Sequence, residues 1–193
     1  MTTLFFPNRG VDNQLIIQQL KQDRSEKYAP GHYHIFFSHD EPMLSVYQIG
    51  DKLVVVMGTP VINGEVATTG NQISELLEAA TRQPDVIDSV FSIFVYSKDT
   101  RTLEIVTDRF GWFVIFWAEE ASGTIFSTSL RDVVRLKQFQ GSVDINDDAV
   151  FEFLWFRRLF GCHSFVKDVE TLPYGSSLTF LQKDGNNCTT FWP

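Results

Sequence analysis

The 193-residue chain predicts an α+β fold in which two sheets of antiparallel strands are flanked by helices. Three observations lead there. Short runs rich in Val, Ile, Phe and Thr follow one another through polar turns, which favours antiparallel neighbours. Helical periodicity is confined to a few separate segments. No internal repeat, low-complexity tract or Pro/Gly/Ser-rich linker divides the chain, so residues 1–193 read as one domain.

The first helix is expected at Asp12–Lys21, capped by Asp12 or Asn13, with Leu15, Ile16 and Leu20 as its apolar stripe. Strand-like runs follow at His34–Phe37, Leu44–Ile49 and Leu53–Met57, the last two joined by a Gly50-Asp51 hairpin turn. Ile73, Leu76, Leu77 and Ala80 recur at helical spacing and predict an amphipathic helix over about Gln72–Arg82, with Pro84 just beyond it. A meander comes next: Val90–Ser97, a turn at Lys98–Arg101, Leu103–Thr107, a turn at Asp108–Gly111, Trp112–Ala118 and Thr124–Ser127. A helix is expected over Leu130–Leu136. Another runs over Asp147–Leu159, capped by Asn146, with Asp147 and Asp148 where the macrodipole favours anions. Its Val150, Phe151, Phe153, Leu154, Trp155 and Phe156 make it apolar over most of its circumference, so it is expected to be sandwiched. The chain closes with a Leu172–Gly175 turn, a strand over Ser177–Leu181 and a hairpin through Asp184-Gly185 to Thr189–Trp192.

Composition narrows the function classes. Sixteen Lys+Arg against 24 Asp+Glu give a net charge of −8, which disfavours nucleic acid and anionic membranes as partners. No apolar run reaches the length of a membrane span, and the N-terminal residues lack a signal peptide's basic start, so a cytoplasmic protein is expected. Cys162 and Cys188 form no C-x-x-C pair and imply no disulfide framework. No nucleotide-binding glycine loop occurs.

Several groups invite a chemical reading. His32 and His34 would share a strand face with His39 nearby, yet no acidic or thiol ligand stands at matching spacing, so no metal site is assigned. Asp144, Asn146 and Asp148 imitate the start of a calcium loop, but Ala149 and Trp155 occupy the positions that require Gly and Glu. Asp108-Arg109-Phe110-Gly111 pairs charges beside a glycine. Turn chemistry accounts for it: Asp108 opens the turn, Gly111 takes the positive φ, and Arg109 bridges to a neighbouring acid. His163 adjoins Cys162, but sequence neighbours on a strand point apart. Asn63-Gly64 is the commonest tight-turn pair.

From Val86 onward the order of the pieces resembles the N-terminal glutaminase-like domain of asparagine synthetases. Asp88-Ser89-Val90-Phe91-Ser92 is similar to that family's "L-x-G-x-F-A" strand, with Ser89 where Gly is usual. Val106–Gly111 resembles "A-R-D-R-F-G", Phe126–Ser129 "F-A-S-E", and Val143-Asp144 with Ala149–Leu154 "L-D-x-x-A-L-x-E-F-L". Ser164-Phe165, Leu172–Gly175 and Phe191-Trp192 resemble "T-x-F", "L-P-P-G" and "Y-W". The resemblance implies a four-layer αββα sandwich of two antiparallel sheets, the fold of N-terminal-nucleophile hydrolases. It also implies a class II glutamine amidotransferase, whose nucleophile is a Cys at residue one after Met removal, with its own amine as base. The first 85 residues depart from the pattern. Position 2 is Thr, no Cys precedes Cys162, and no Arg or Asp stands where the family anchors glutamine. Val61–Val66 is similar to the "N-G-E-I-Y-N" loop, which would make Asn63 and Gly64 oxyanion donors.

Three readings result. The domain is a degenerate glutaminase that serves as scaffold and interaction domain for the synthetase half of an ATP-dependent amide ligase, as in β-lactam synthetases and lasso-peptide cyclases. Alternatively, Thr2 is an active terminal nucleophile of an amidohydrolase, or the chain is an unrelated α+β binding protein. The first is expected, with the chain as the front piece of a longer protein. The synthetase domain would then be its partner, in cis or in trans, a homo-oligomer stays open, and ATP and Mg belong only to that absent half. The aromatic residues Phe151–Phe156 are a candidate docking surface, with core packing the alternative for most of them.

Overall fold

The structure, a computed structural model, describes residues 2–7, 14–21, 25–29, 33–37, 43–68, 70–82, 86–138, 141–181 and 185–190. In chain order the elements begin with β1 (Thr2–Pro7), α1 (Gln14–Leu20), β2 (Ser25–Ala29), β3 (Tyr33–Phe37), β4 (Leu44–Ile49) and β5 (Lys52–Gly58). They continue with β6 (Val61–Ile62), β7 (Glu65–Val66), α2 (Gly70–Arg82), β8 (Phe91–Ser97), β9 (Thr102–Thr107), β10 (Phe116–Glu120) and β11 (Gly123–Ser127). The last are α3 (Leu130–Gln138), α4 (Asp147–Phe156), β12 (Glu170–Thr171), β13 (Ser176–Leu181) and β14 (Gly185–Thr190). The class is α+β with two six-stranded antiparallel sheets, as the sequence predicts.

The chain forms two compact units. The first, Met1–Glu41 with Val114–Leu172, carries a sheet in the order β12-β10-β11-β1-β3-β2. Here β1 is central, pairing Leu4 with Phe126 on one side and with Ile35 on the other. Its six residues are all buried, because a run of Thr, Leu and Phe suits a strand covered on both faces. Phe5, Leu20, Phe36, Ile125, Val133 and Leu136 form this unit's core beneath α1 and α3. The largely buried Lys137 ammonium on α3 is neutralised by Glu120 at 2.7 Å and Asp168 at 3.9 Å.

The second unit, Pro42–Phe113 with Pro173–Pro193, carries the order β14-β13-β9-β8-β5-β4. The helical stripe of α2 places Ile73 and Leu76 on Val54, Val56, Ile93, Val95 and Val106. The alternate residues Val55 and Phe94 are buried too, so both faces of the central strands are covered. Gly50-Asp51 joins β4 to β5 in register, Ile49 opposite Lys52. Gly58 has φ +90° and a Cβ there would lie 2.1 Å from the Val90 carbonyl oxygen, so only Gly fits.

Several expectations are corrected. The strand expected from Trp112 begins at Phe116, because Phe116 pairs with Ser127, the last residue of β11, and Gly111 with φ +63° bends the chain before it. The last helix stops at Phe156, three residues early, because Arg157 turns left-handed at φ 59° and caps onto the Phe153 carbonyl. That helix is not sandwiched: only Ala149 is fully buried, while Phe151, Leu154, Trp155 and Phe156 are exposed. Apolar circumference alone does not supply a covering layer. The strands β1, β2 and β12 and the β6–β7 hairpin add to the pattern read from the sequence. Asp12, Asn13, Pro84, Asp184 and Trp192 lie outside the described residues.

Candidate functional site

Thr2 opens the central strand of the first unit, where pairing on both sides fixes its backbone. Its carbonyl accepts from the Thr128 amide at 3.1 Å, and its nitrogen donates to Thr128 Oγ1 at 3.1 Å. The side chain is 1% exposed, and among the described residues its buried Oγ1 has no hydrogen-bond partner. A threonine nucleophile needs a base to take its proton. Among the described residues no base touches Thr2 Oγ1.

The next residue joins a polar cluster. Thr3 Oγ1 donates to Asp132 Oδ2 at 2.5 Å and lies 2.8 Å from Ser127 Oγ. A hydroxyl has one proton, so with Thr3 donating to Asp132, Ser127 donates to Thr3. The Ser129 amide in turn donates to Ser127 Oγ at 3.0 Å. Asp132 is fully buried, with Arg135 at 4.0 Å as its nearest cation among the ion pairs described. The arrangement seats a buried carboxylate on the Thr3 hydroxyl, itself backed by Ser127, and ties the start of β1 to the start of α3. This cluster is absent from the sequence reading. A signal existed in Ser129-Leu130-Arg131-Asp132, the S-x-x-D spacing of a helix start, although the carboxylate faces β1 and β11.

In the second unit, Asn63 and Gly64 are the two central residues of the β6–β7 hairpin, with φ 52° and 80°. These positive values are those of the turn that Asn-Gly favours. The Asn63 side-chain amide donates to Glu75 on α2 at 2.6 Å. Thr2 and this turn belong to different units.

Asp108, also in the second unit, is 1% exposed. Its two carboxylate oxygens accept from the amides of Phe110 at 2.6 Å and Phe91 at 3.1 Å, and its carbonyl accepts from Gly175 at 2.8 Å. It thereby fastens the turn after β9 to β8 and to the turn before β13. Arg109 lies 3.6 Å from Asp88 and stacks over Phe110. Gly111 adopts φ +63°, and a Cβ there would lie 2.9 Å from the Tyr174 ring. Ser89 adopts φ 79°, the left-handed region that suits the Gly found there in the family it resembles.

His163 lies 2.8 Å from Glu152 on α4, and the Glu152 carboxylate also accepts from the Phe160 amide at 3.0 Å. The Phe160 hydrogen bond, more than His163, holds Glu152 below the usual carboxylate range. These contacts fold the segment after α4 back onto the helix. Asn146 caps α4, its Oδ1 accepting from the Ala149 amide at 3.3 Å. Among the described residues no three His, Cys, Asp or Glu side chains gather as a metal site. His34 stacks instead on Phe36, while His32 and His39 lie outside the described residues. No described helix is long and apolar enough to cross a membrane.

Comparison with known families follows the same division. The glutamine amidotransferase domain family matches residues 75–192. The match includes the Asp108 turn, the Ser127–Asp132 half of the hydroxyl cluster, and α4. Thr2, Thr3 and the Asn63-Gly64 turn precede it. No curated protein matches the chain. The family match, which spans more than half the chain, removes the reading as an unrelated α+β protein: the chain belongs to the glutamine amidotransferase domain family.

Proposed function

We propose that this chain is a degenerate glutamine amidotransferase-like domain of an asparagine synthetase-type, ATP-dependent amide ligase. In this reading it releases no ammonia from glutamine and serves as scaffold and interaction domain for a synthetase half, supplied in cis or in trans. ATP and magnesium belong to that half. The state of residue 2 carries the reading. The terminal-nucleophile mechanism requires a thiol or hydroxyl beside a free amine and open to substrate. Here residue 2 is a threonine at 1% exposure, its nitrogen donated to Thr128. The two cysteines stand at 162 and 188.

One observation favours the second reading, an amidohydrolase using Thr2: its hydroxyl bonds to none of the described residues. Removal of Met1 would convert its nitrogen from an amide to an amine. Glutamate release from glutamine, measured on protein of known N-terminal residue from intact mass, separates the two. The expected result is no release above background by protein beginning at either Met1 or Thr2. Release by protein beginning at Thr2 and lost in Thr2→Ala overturns the proposal.

A further inference from the structure

Asn63 is the one asparagine of the chain that precedes a glycine. The pair carries a chemistry of its own. The backbone nitrogen of the following residue attacks the asparagine side-chain carbonyl carbon and gives up its proton to solvent. A five-membered succinimide forms as the bond from Cγ to Nδ2 breaks, and that nitrogen leaves as ammonia. Water then opens the ring at either carbonyl, so aspartate or isoaspartate replaces asparagine. Glycine speeds the attack because it has no Cβ to hold the two groups apart.

The β6–β7 hairpin leaves this reaction open. Asn63, Gly64 and Glu65 are all exposed, so water reaches the pair. A Cβ on Gly64 would meet nothing within 4 Å, so no neighbour confines the nitrogen that must move. Residue 63 sits at φ 52°, in the left-handed region that is unfavourable for a residue with a side chain. Strands β6 and β7 have two residues each, and an element with so few hydrogen bonds opens locally at low cost.

What the reaction undoes lies on the same surface. The Asn63 side-chain amide donates to the Glu75 carboxylate at 2.6 Å, and the Gln72 side-chain amide donates to Glu65 at 3.1 Å. Both bonds join the hairpin to α2, each with an amide as donor and a carboxylate as acceptor. Among the described residues no cation pairs with Glu65 or Glu75. A carboxylate in place of the Asn63 amide removes the donor and sets two negative charges where the hydrogen bond stood. Isoaspartate also lengthens the main chain by one carbon inside a two-residue turn.

We propose that Asn63-Gly64 is a self-modification site whose product, a carboxylate facing Glu75, releases the β6–β7 hairpin from α2. The step consumes water, yields ammonia and needs no enzyme. It runs in one direction, so the hairpin records the age of the molecule. The proposal is independent of whether Thr2 is catalytic.

The test follows the full chain during incubation in warm, mildly alkaline buffer, with peptide mapping by mass spectrometry at intervals. The expected result is conversion of residue 63 to aspartate and isoaspartate at least about tenfold faster than conversion of Asn146, whose side chain is bound in the cap of α4. Hydrogen exchange reads the release. Asn63→Asp keeps a residue type that tolerates the left-handed turn. In that variant the Ala67 and Thr68 amides, which donate to Pro60 and Gln72, should exchange at least about fivefold faster, as loss of one hydrogen bond implies. Adding Glu75→Gln to Asn63→Asp swaps donor and acceptor and should restore the native rate. Circular dichroism on both variants confirms that the fold is retained. Residue 63 outlasting or matching Asn146 overturns the modification site. Native exchange in Asn63→Asp, or no rescue by Glu75→Gln, overturns the release.

Discussion

Replacing Asp108 tests whether its carboxylate is a structural fastener. The group is buried and accepts two backbone amides, Phe110 at 2.6 Å and Phe91 at 3.1 Å. A hydrogen bond to a charged group contributes about 1.5–3 kcal/mol, and a buried donor left unpaired costs as much. Phe110 is exposed, so in Asp108→Ala its amide turns to water and costs about 1 kcal/mol. Phe91 is 1% exposed and its amide stays dry, costing about 2 kcal/mol. The sum is about 3 kcal/mol, or about 6–12 °C in melting temperature for a chain of this size. Asp108→Asn keeps one acceptor oxygen, so its cost falls to about half. Urea unfolding followed by tryptophan fluorescence measures both. A loss under about 0.5 kcal/mol for Asp108→Ala, with an unchanged denaturant slope, refutes the reasoning.

Two further outcomes follow from the same geometry. Ser89→Gly relieves a left-handed residue at φ 79° and, after the added unfolded-state entropy of glycine, stabilises by about 0.5–1 kcal/mol in the same urea assay. Destabilisation by that amount would show that the serine hydroxyl matters more than the backbone. Glu152 is held below its usual value of 4.5 by the Phe160 amide above all, with burial opposing as the next largest effect and His163 and Arg158 adding to the lowering. A lowered carboxylate contributes stability above its unfolded value and loses it as pH falls through its folded value. Protection of the Phe160 amide from hydrogen exchange therefore persists down to about the usual glutamate range and fades below it. Titration of Glu152 at or above the ordinary value would contradict this.

Much of the second unit was legible because its signals are local. Ile73 and Leu76 on α2 recur at helical spacing, and Gly50-Asp51 marks a hairpin on its own. The turn from Asp108 to Gly111 is likewise written in residue types that suit few other conformations. The first unit was harder. Its central strand, Thr2–Pro7, shows no polar–apolar alternation to reveal it, and one of its two partners, β11, lies more than a hundred residues away. Asp132 looks like a surface helix acid until β1 brings Thr3 against it. The exposure of α4 was misread because hydrophobic pattern reports what a surface prefers and says nothing of whether a partner is present.

The place of β1 has a consequence for synthesis. Thr3 contacts Ser127 across 124 residues, so the strand leaves the ribosome long before its antiparallel neighbour β11 exists. At about 5–20 residues per second, its apolar Leu4, Phe5 and Phe6 wait about 6–25 s for that neighbour, while all of the Lys52–Phe113 stretch is translated in between. The nascent chain thus carries an apolar strand without its β11 partner through the synthesis of the residues between them, and chaperone demand will fall once Ser127 has emerged.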